Sequence, residues 1–229
     1  MIALTLSTGF MYFSRFARND IYMAFWTVFL FGVLLRYIDK PQRRWVILAG
    51  MSLGFAFVTK ENAYITGFIF VTFVLLLGIW VWQTCPVEGP LGTSMLTVVR
   101  AFRALWNDPE GFGYSLAIFL GIVFLFMTSF FTNMPGFREG IIKSFTVWLD
   151  IHGSERVNQP WFFYLIFAFV YEIFAVVMGL LAIGHTIRRP TLLPILLVYW
   201  TVTSFFIYSV AGEKAAWLTL HSTLPLTLL

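Results

Sequence analysis

Long apolar runs alternate with short charged clusters along the whole chain, and the lengths of the runs set the elements they predict. Met1 to Phe13 is apolar but only 13 residues long. That is about 20 Å of helix against a hydrocarbon thickness of roughly 30 Å, the second half of a span. Ile21 to Ile38 is a full span, with Arg36 close enough to its end to snorkel into the headgroups. Trp45 to Trp82 is 38 residues, about 57 Å as one helix, and must double back. Its only charges, Lys60 and Glu61, mark the turning point with Asn62, leaving a short span, Trp45 to Thr59, and a return helix, Ala63 to Trp82. Tyr114 to Phe131, Trp161 to Gly184 and Leu192 to Val210 are further spans, and Trp217 to Leu229 begins one more. The pattern predicts an all-α, polytopic transmembrane bundle over residues 1–229, with about six full spans and two partial ones. Because both partial spans lie at the ends, the chain is expected to be a segment of a larger membrane protein.

The connections are as informative as the spans. Lys40, Arg43 and Arg44 surround Pro41 in a loop that the positive-inside rule assigns to the cytoplasm. Between 83 and 113, Pro86, Pro90 and Pro109 break the chain. Residues 95–106 alternate apolar positions with Arg100 and Arg103 at helical spacing, which predicts an amphipathic helix on the cytoplasmic surface. Residues 132–160 form the longest connection, expected to be an extracytoplasmic loop with Phe145, Val147 and Trp148 dipping into the interface. His185, Arg188 and Arg189 make the next cytoplasmic turn.

Composition supports this class. The chain is 59% hydrophobic, 20% aromatic and only 11% charged, whereas a soluble domain carries about 25% charged residues. The single cysteine, Cys85, has no second thiol for a disulfide or a metal. The net charge of +4 is spread over short loops, which points to membrane orientation and anionic lipid and away from nucleic acid.

Charge pairing distinguishes the two faces. Lys40, Arg43, Arg44, Arg188 and Arg189 are mostly unaccompanied, whereas opposite them each cation has an acid in its own loop. Arg15 and Arg18 accompany Asp20. Lys60 accompanies Glu61. Arg138, Lys143 and Arg156 accompany Glu139, Asp150 and Glu155, and Lys214 accompanies Glu213. If the helices alternate, these four clusters emerge together and line one site. Adjacent residues do not face each other on a helix, so Lys60–Glu61 and Glu213–Lys214 should find partners elsewhere. Arg15 and Arg18, at i and i+3, would share a face and grip a phosphate. Plainer roles stand beside these. Asp20 can cap the helix that follows it, Arg15 and Arg18 can be interfacial anchors, and Lys60–Glu61 can be a hairpin tip. Glu172, in mid-span, is best read as a carboxyl hydrogen-bonded to a neighbouring helix, with a proton relay as the rarer alternative.

Four motifs carry a family resemblance: Ser-Arg-Phe-Ala-Arg-Asn-Asp-Ile-Tyr (14–22), Thr-Lys-Glu-Asn (59–62), His-Gly-x-x-Arg-x-x-Gln-Pro-Trp (152–161) and Ala-Gly-Glu-Lys-x-x-Trp-Leu-Thr-x-His (211–221). Together they resemble the flippase-activity-associated membrane proteins, which are similar to the protein mannosyltransferase and aminoarabinose transferase group of GT-C glycosyltransferases. The resemblance implies transfer of a sugar from a polyprenyl-phosphate carrier, at the outer face of the cell membrane. It further implies a base in a first outer loop, which would precede Met1, and later acidic and basic residues holding the phosphate or a divalent cation. Asp20 is then the candidate catalytic acid of this chain, as the second acidic residue of the set. Arg15, Arg18, Lys60, Glu61, His152, Arg156, Glu213, Lys214 and His221 are the candidate substrate-binding residues. Ala215 and Ala216 depart from the Met or Pro common before the tryptophan. Two other functions compete, an accessory role in lipid-linked oligosaccharide flipping and a transporter with Glu172 as its relay. The lack of an internal repeat favours the enzyme over a transporter.

Overall fold

The computed structural model describes residues 7–16, 18–84, 89–153, 159–212 and 214–229. Among these, eleven α-helices and one short 3-10 turn account for the regular structure, with no strand. In chain order they are α1 Thr8–Ser14, α2 Asn19–Asp39, α3 Arg43–Thr59, α4 Asn62–Thr84, α5 Gly89–Trp106 and α6 Pro109–Met127. They continue with α7 Pro135–Gly153, α8 Phe163–Tyr171, α9 Ile173–Arg188, α10 Leu192–Val210, a 3-10 turn Ala216–Leu218 and α11 Thr219–Leu228. The fold is the all-α polytopic bundle that the apolar runs predict.

Four described helices are long and apolar enough to cross a bilayer: α2, the Asn62–Trp80 part of α4, α6 and α10. The pair α8 and α9 makes a fifth if it is one span. This is fewer than the six full spans expected, for two local reasons. Lys60 ends α3 after 17 residues, about 26 Å of rise. The expected span Trp161 to Gly184 is broken at Glu172, where the chain bends by 104°. Large apolar side chains lie bare along the bundle, among them Val71, Leu75, Leu181 and Phe206. Such a surface suits lipid and not water.

One half of the bundle is α2, α3 and α6, pressed together by small residues. A Cβ built on Gly50 would overlap the Ser115 carbonyl of α6, and one on Gly54 would meet the Ile122 Cβ at 3.1 Å. Gly50 and Gly54 thus form a small-xxx-small seam, the means by which membrane helices reach van der Waals contact when water supplies no drive. Hydroxyls fix the register: Ser115 donates to the Val46 carbonyl at 2.8 Å, and Ser52 to the Trp26 carbonyl at 2.8 Å. The Trp26 and Phe55 rings stack beside this seam, 4.5 Å apart and 13° from parallel.

The other half is built on α10 and α11. Trp200 lies against Phe31 at 5.9 Å and Phe70 at 5.1 Å, joining α10 to α2 and α4. Tyr199 donates to the Thr72 hydroxyl at 2.8 Å across the same gap. At one end of the bundle Arg43 pairs with Asp108 at 2.7 Å and Glu110 at 3.0 Å, so α3 and α6 start level. The Arg43 guanidinium, followed by the Gly111 amide, holds the Asp108 carboxyl below the usual carboxylate range.

The connection 132–160 is not irregular chain, since α7 occupies most of it and packs back on α6 through Phe137 against Phe124 at 5.2 Å. Phe145 lies against Tyr64 at 6.1 Å; the Val147 and Trp148 side chains are outside the described residues. Between α6 and α7 the chain reverses through Ser129, Phe130 and Phe131, all left-handed with φ of 50°, 56° and 69°. Each left-handed non-glycine residue costs roughly 1–2 kcal/mol.

If the Gly50–Gly54 seam holds α3 to α6, Gly50→Leu must part the helices. An expected loss of at least about 1–3 kcal/mol, or failure to fold, would be read by thermal unfolding in detergent. Gly32→Leu serves as control, because a Cβ there meets nothing within 4 Å.

Candidate functional site

A single carboxylate gathers three basic side chains at the end of the bundle opposite the Arg43–Asp108 pair. Asp20 stands in the first turn of α2, 1% exposed. It does not cap that helix: the N-cap is Arg18, and no side chain bonds there. Asp20 Oδ1 instead accepts from Lys60 Nζ at 2.5 Å and lies 3.2 Å from His221 Nε2, while Oδ2 lies 3.5 Å from Arg18 Nε. A buried carboxylate next to His221 is an acceptor, which assigns the ring proton to Nε2.

Each partner arrives for a local reason. Lys60 is the C-cap of α3 with an extended backbone (φ −163°, ψ 147°), and its amide still bonds the Ala56 carbonyl. Its side chain, 12% exposed, leaves the helix end toward α2. His221 sits in the first turn of α11, with its ring stacked on Tyr208 of α10 at 6.2 Å and 26°. Tyr208 in turn packs on Tyr164 at 6.1 Å, and the Tyr164 hydroxyl accepts the Ala215 amide at 3.0 Å. That bond ties the segment before the 3-10 turn to α8. Arg18, 40% exposed, lays its guanidinium over the Trp217 ring at 3.6 Å, a cation–π contact.

Arg18, Lys60 and His221 therefore meet Asp20, although they are far apart in sequence. The others stand apart from that contact. Arg15 is the exposed C-cap of α1, and the turn after it removes the helical face that it was expected to share with Arg18. Glu61 is half-buried beside Lys60 and makes no ion pair among the described residues. Lys214 donates to the Ala211 carbonyl at 3.2 Å. His152 stands in α7 with its side chain outside the described residues, as are Arg156 and Glu213. In α7, Lys143 pairs locally with Glu139.

Glu172 is engaged elsewhere. It accepts from the Ser7 hydroxyl at 2.6 Å and the Gly9 amide at 2.5 Å, linking the α8–α9 break to the start of α1. The hydrogen-bonded alternative for Glu172 fits this geometry.

Sequence reasoning missed several residues of the site. Trp217 and Tyr208 are not among the candidate residues, although Trp217 lies within the last motif, six positions past Ala211. Three buried polar atoms among the described residues have no hydrogen-bond partner: Asn62 Nδ2, Thr219 Oγ1 and Ser222 Oγ. All three are within two positions of Lys60 or His221. Orphaned groups of this kind are rare in native proteins and each needs an explanation. Among the described residues no three His, Cys, Asp or Glu side chains gather as a metal set.

A polytopic helical bundle with bare apolar flanks and a desolvated cluster of charge at one end defines a multi-pass membrane protein. The family model described as dolichyl-phosphate-mannose-protein mannosyltransferase matches residues 1–130, more than half of the chain. The chain belongs to that family, whose members are multi-pass membrane glycosyltransferases. No curated protein and no solved structure matches it.

Removing the Lys60 ammonium leaves Asp20 short of its closest counter-charge in a dry setting. Lys60→Met is expected to cost about 3–5 kcal/mol of stability. The double variant with Asp20→Asn should recover part of it. Denaturant unfolding in detergent checks both, and equal losses in the single and double variants would show that the pair does not act together.

Proposed function

We propose that the chain carries the carrier-phosphate end of a glycosyltransferase site. Its donor is a sugar linked to a polyprenyl phosphate, used on the extracytoplasmic face of the cell membrane. The observation that carries this is the Asp20 cluster. Three basic groups from three distant segments are held on one buried carboxylate, at the level where a lipid's phosphate would lie.

The chemistry has simple needs. The bond between the sugar's anomeric carbon and the phosphate oxygen breaks, the acceptor oxygen bonds that carbon, and its proton passes to a base. Negative charge grows on the departing phosphate, so fixed cations lower the barrier. Lys60 and Arg18 are suited to this because each retains donors not used by Asp20. Arg18 is the more exposed of the two, and its stacking on Trp217 keeps its fork oriented. Asp20 itself, 1% exposed with three partners, has no face to offer an acceptor. It acts as a positioning residue that holds the cations in place before the lipid arrives. Arg15 and Lys214 are further members of the phosphate-binding set, with Glu61 as an acidic member; the side chains of Arg156, His152 and Glu213 lie outside the described residues and keep only the role that the resemblance implies. The orphaned atoms of Asn62, Thr219 and Ser222 are left for sugar hydroxyls, which both donate and accept. Glu172 Oε1 accepts from both Ser7 and Gly9, which favours a structural tie over the relay of the transporter alternative.

With labelled polyprenyl-phosphate sugar and the longest available form of the protein, Arg18→Ala is expected to lower sugar release about 10²–10³-fold, as for loss of an oxyanion donor. Asp20→Asn should lower it as well, and unchanged release in both would remove these residues from the site.

Thr219→Val separates the sugar contact from a structural role. It replaces an unpartnered hydroxyl by a methyl of the same shape, so stability should stay level or rise. Sugar release should still fall. A lowered unfolding temperature with unchanged release would make Thr219 structural.

A further inference from the structure

At the basic end of the bundle, α2, α4, α5 and α10 leave an apolar cavity of about 480 Å³ between them. Phe31, Leu35, Phe73, Val98, Ala101 and Leu196 are among its walls. Its volume is that of a ligand site. It is not part of the Asp20 cluster: Tyr37, on its rim, is 17 residues along α2 from Asp20, roughly 25 Å at 1.5 Å per residue.

Two observations say what fills it. The first is charge. Arg36 and Lys40 at the end of α2, and Arg100 and Arg103 on α5, are exposed on elements that wall the cavity and outnumber Asp39, the one charged residue of its lining; none of the four has an acidic partner among the described residues. The second is the form of α5. One of its faces is buried through Met95 and Ala101, and the Ala101 carbonyl accepts from Tyr37 at 3.3 Å. A second apolar stripe, Leu96, Val99, Phe102 and Trp106, lies bare, with Trp106 88% exposed. A helix with bare apolar residues, a terminal tryptophan and arginines between them belongs at the headgroup level. The cavity beneath it opens where acyl chains meet phosphates.

We propose that this cavity is a phospholipid site: one acyl chain of an anionic phospholipid occupies it, and Arg36, Lys40, Arg100 and Arg103 hold the headgroup. Basic pockets between membrane helices select anionic headgroups in this way. The apolar walls accept any chain, so the cations supply the preference. The prenyl tail of the sugar carrier is the rival occupant, but the function proposed above anchors its phosphate at the other end of α2.

The test is lipid exchange followed by native mass spectrometry. The full chain, purified in detergent, is equilibrated with vesicles of equal phosphatidylglycerol and phosphatidylcholine. It should retain one phosphatidylglycerol per chain in preference to phosphatidylcholine. Arg36→Gln, Lys40→Gln, Arg100→Gln and Arg103→Gln, all at exposed positions, should each lower that preference by up to about fivefold. Thr97→Trp, which fills the cavity, should lose the bound lipid. Equal retention of the two lipids by the wild type, or displacement of phosphatidylglycerol by added polyprenyl phosphate, would overturn the proposal. If Thr97→Trp does not elute as a folded species, the four charge variants decide alone.

Discussion

The bundle is arranged around the desolvation of one carboxylate. At 1% exposure, Asp20 has no water to complete its shell, and a charge in that setting persists only with hydrogen-bonded partners. Lys60, His221 and Arg18 meet that demand from the end of α3, the start of α11 and the residue before α2. Each partner fixes where a helix must stop or start. Lys60 can reach Oδ1 only if α3 ends there, and His221 only if α11 begins after the 3-10 turn. The chain's vertical registration thus follows from a polar contact, while its lateral packing follows from Gly50, Gly54, Trp26 and Trp200. A buried ion cluster is weak evidence of net stability. Its value lies in specificity, since a bundle of lipid-exposed helices has few other means of setting register.

The two ends of the bundle divide their charges differently. Around Asp20, cations are matched within hydrogen-bonding range and screened by Trp217 and Tyr208. At the Arg43 end, apart from the Asp108 and Glu110 pairs, the basic residues are exposed and unmatched among the described residues. Matched, desolvated charge suits a ligand that enters a fixed site, since its dipoles need not reorganise on binding. Unmatched, exposed charge suits a field acting on a surface. Glu172 is a third case: it serves the short helix α1 and the sharp break between α8 and α9, where backbone freed from its ladder needs partners inside the protein.

What the sequence made legible was whatever depends on length and parity. Runs of about twenty apolar residues gave α2, α4, α6 and α10, and helix alternation brought Asp20, Lys60 and the last motif to one end. What it hid was whatever depends on a single local contact. Nothing in the apolar run 161–184 shows that Glu172 will take up two donors from near Gly9 and bend the span by 104°. Nothing in Ser129, Phe130 and Phe131 announces a left-handed reversal, because residue preference runs against it. The i, i+3 spacing of Arg15 and Arg18 misled for a related reason: the rule holds only inside a helix, and the chain turns between them.

The same distinction bears on the reading of Asp20 as a catalytic residue. A carboxylate at the mouth of a hydrophobic helix is a natural candidate when its neighbours are unknown. A general base, however, must reach the proton it removes, and Asp20 is 1% exposed, with Oδ1 shared by Lys60 and His221 and Oδ2 3.5 Å from Arg18 Nε. Burial converts a group that would act on substrate into one that acts on other side chains. The groups around it that retain unused donors are the Lys60 ammonium, the Arg18 fork and the hydroxyls of Thr219 and Ser222. If the site works as proposed, its rate comes from cations fixed before a ligand arrives, because preorganised charge need not reorient as the reaction proceeds.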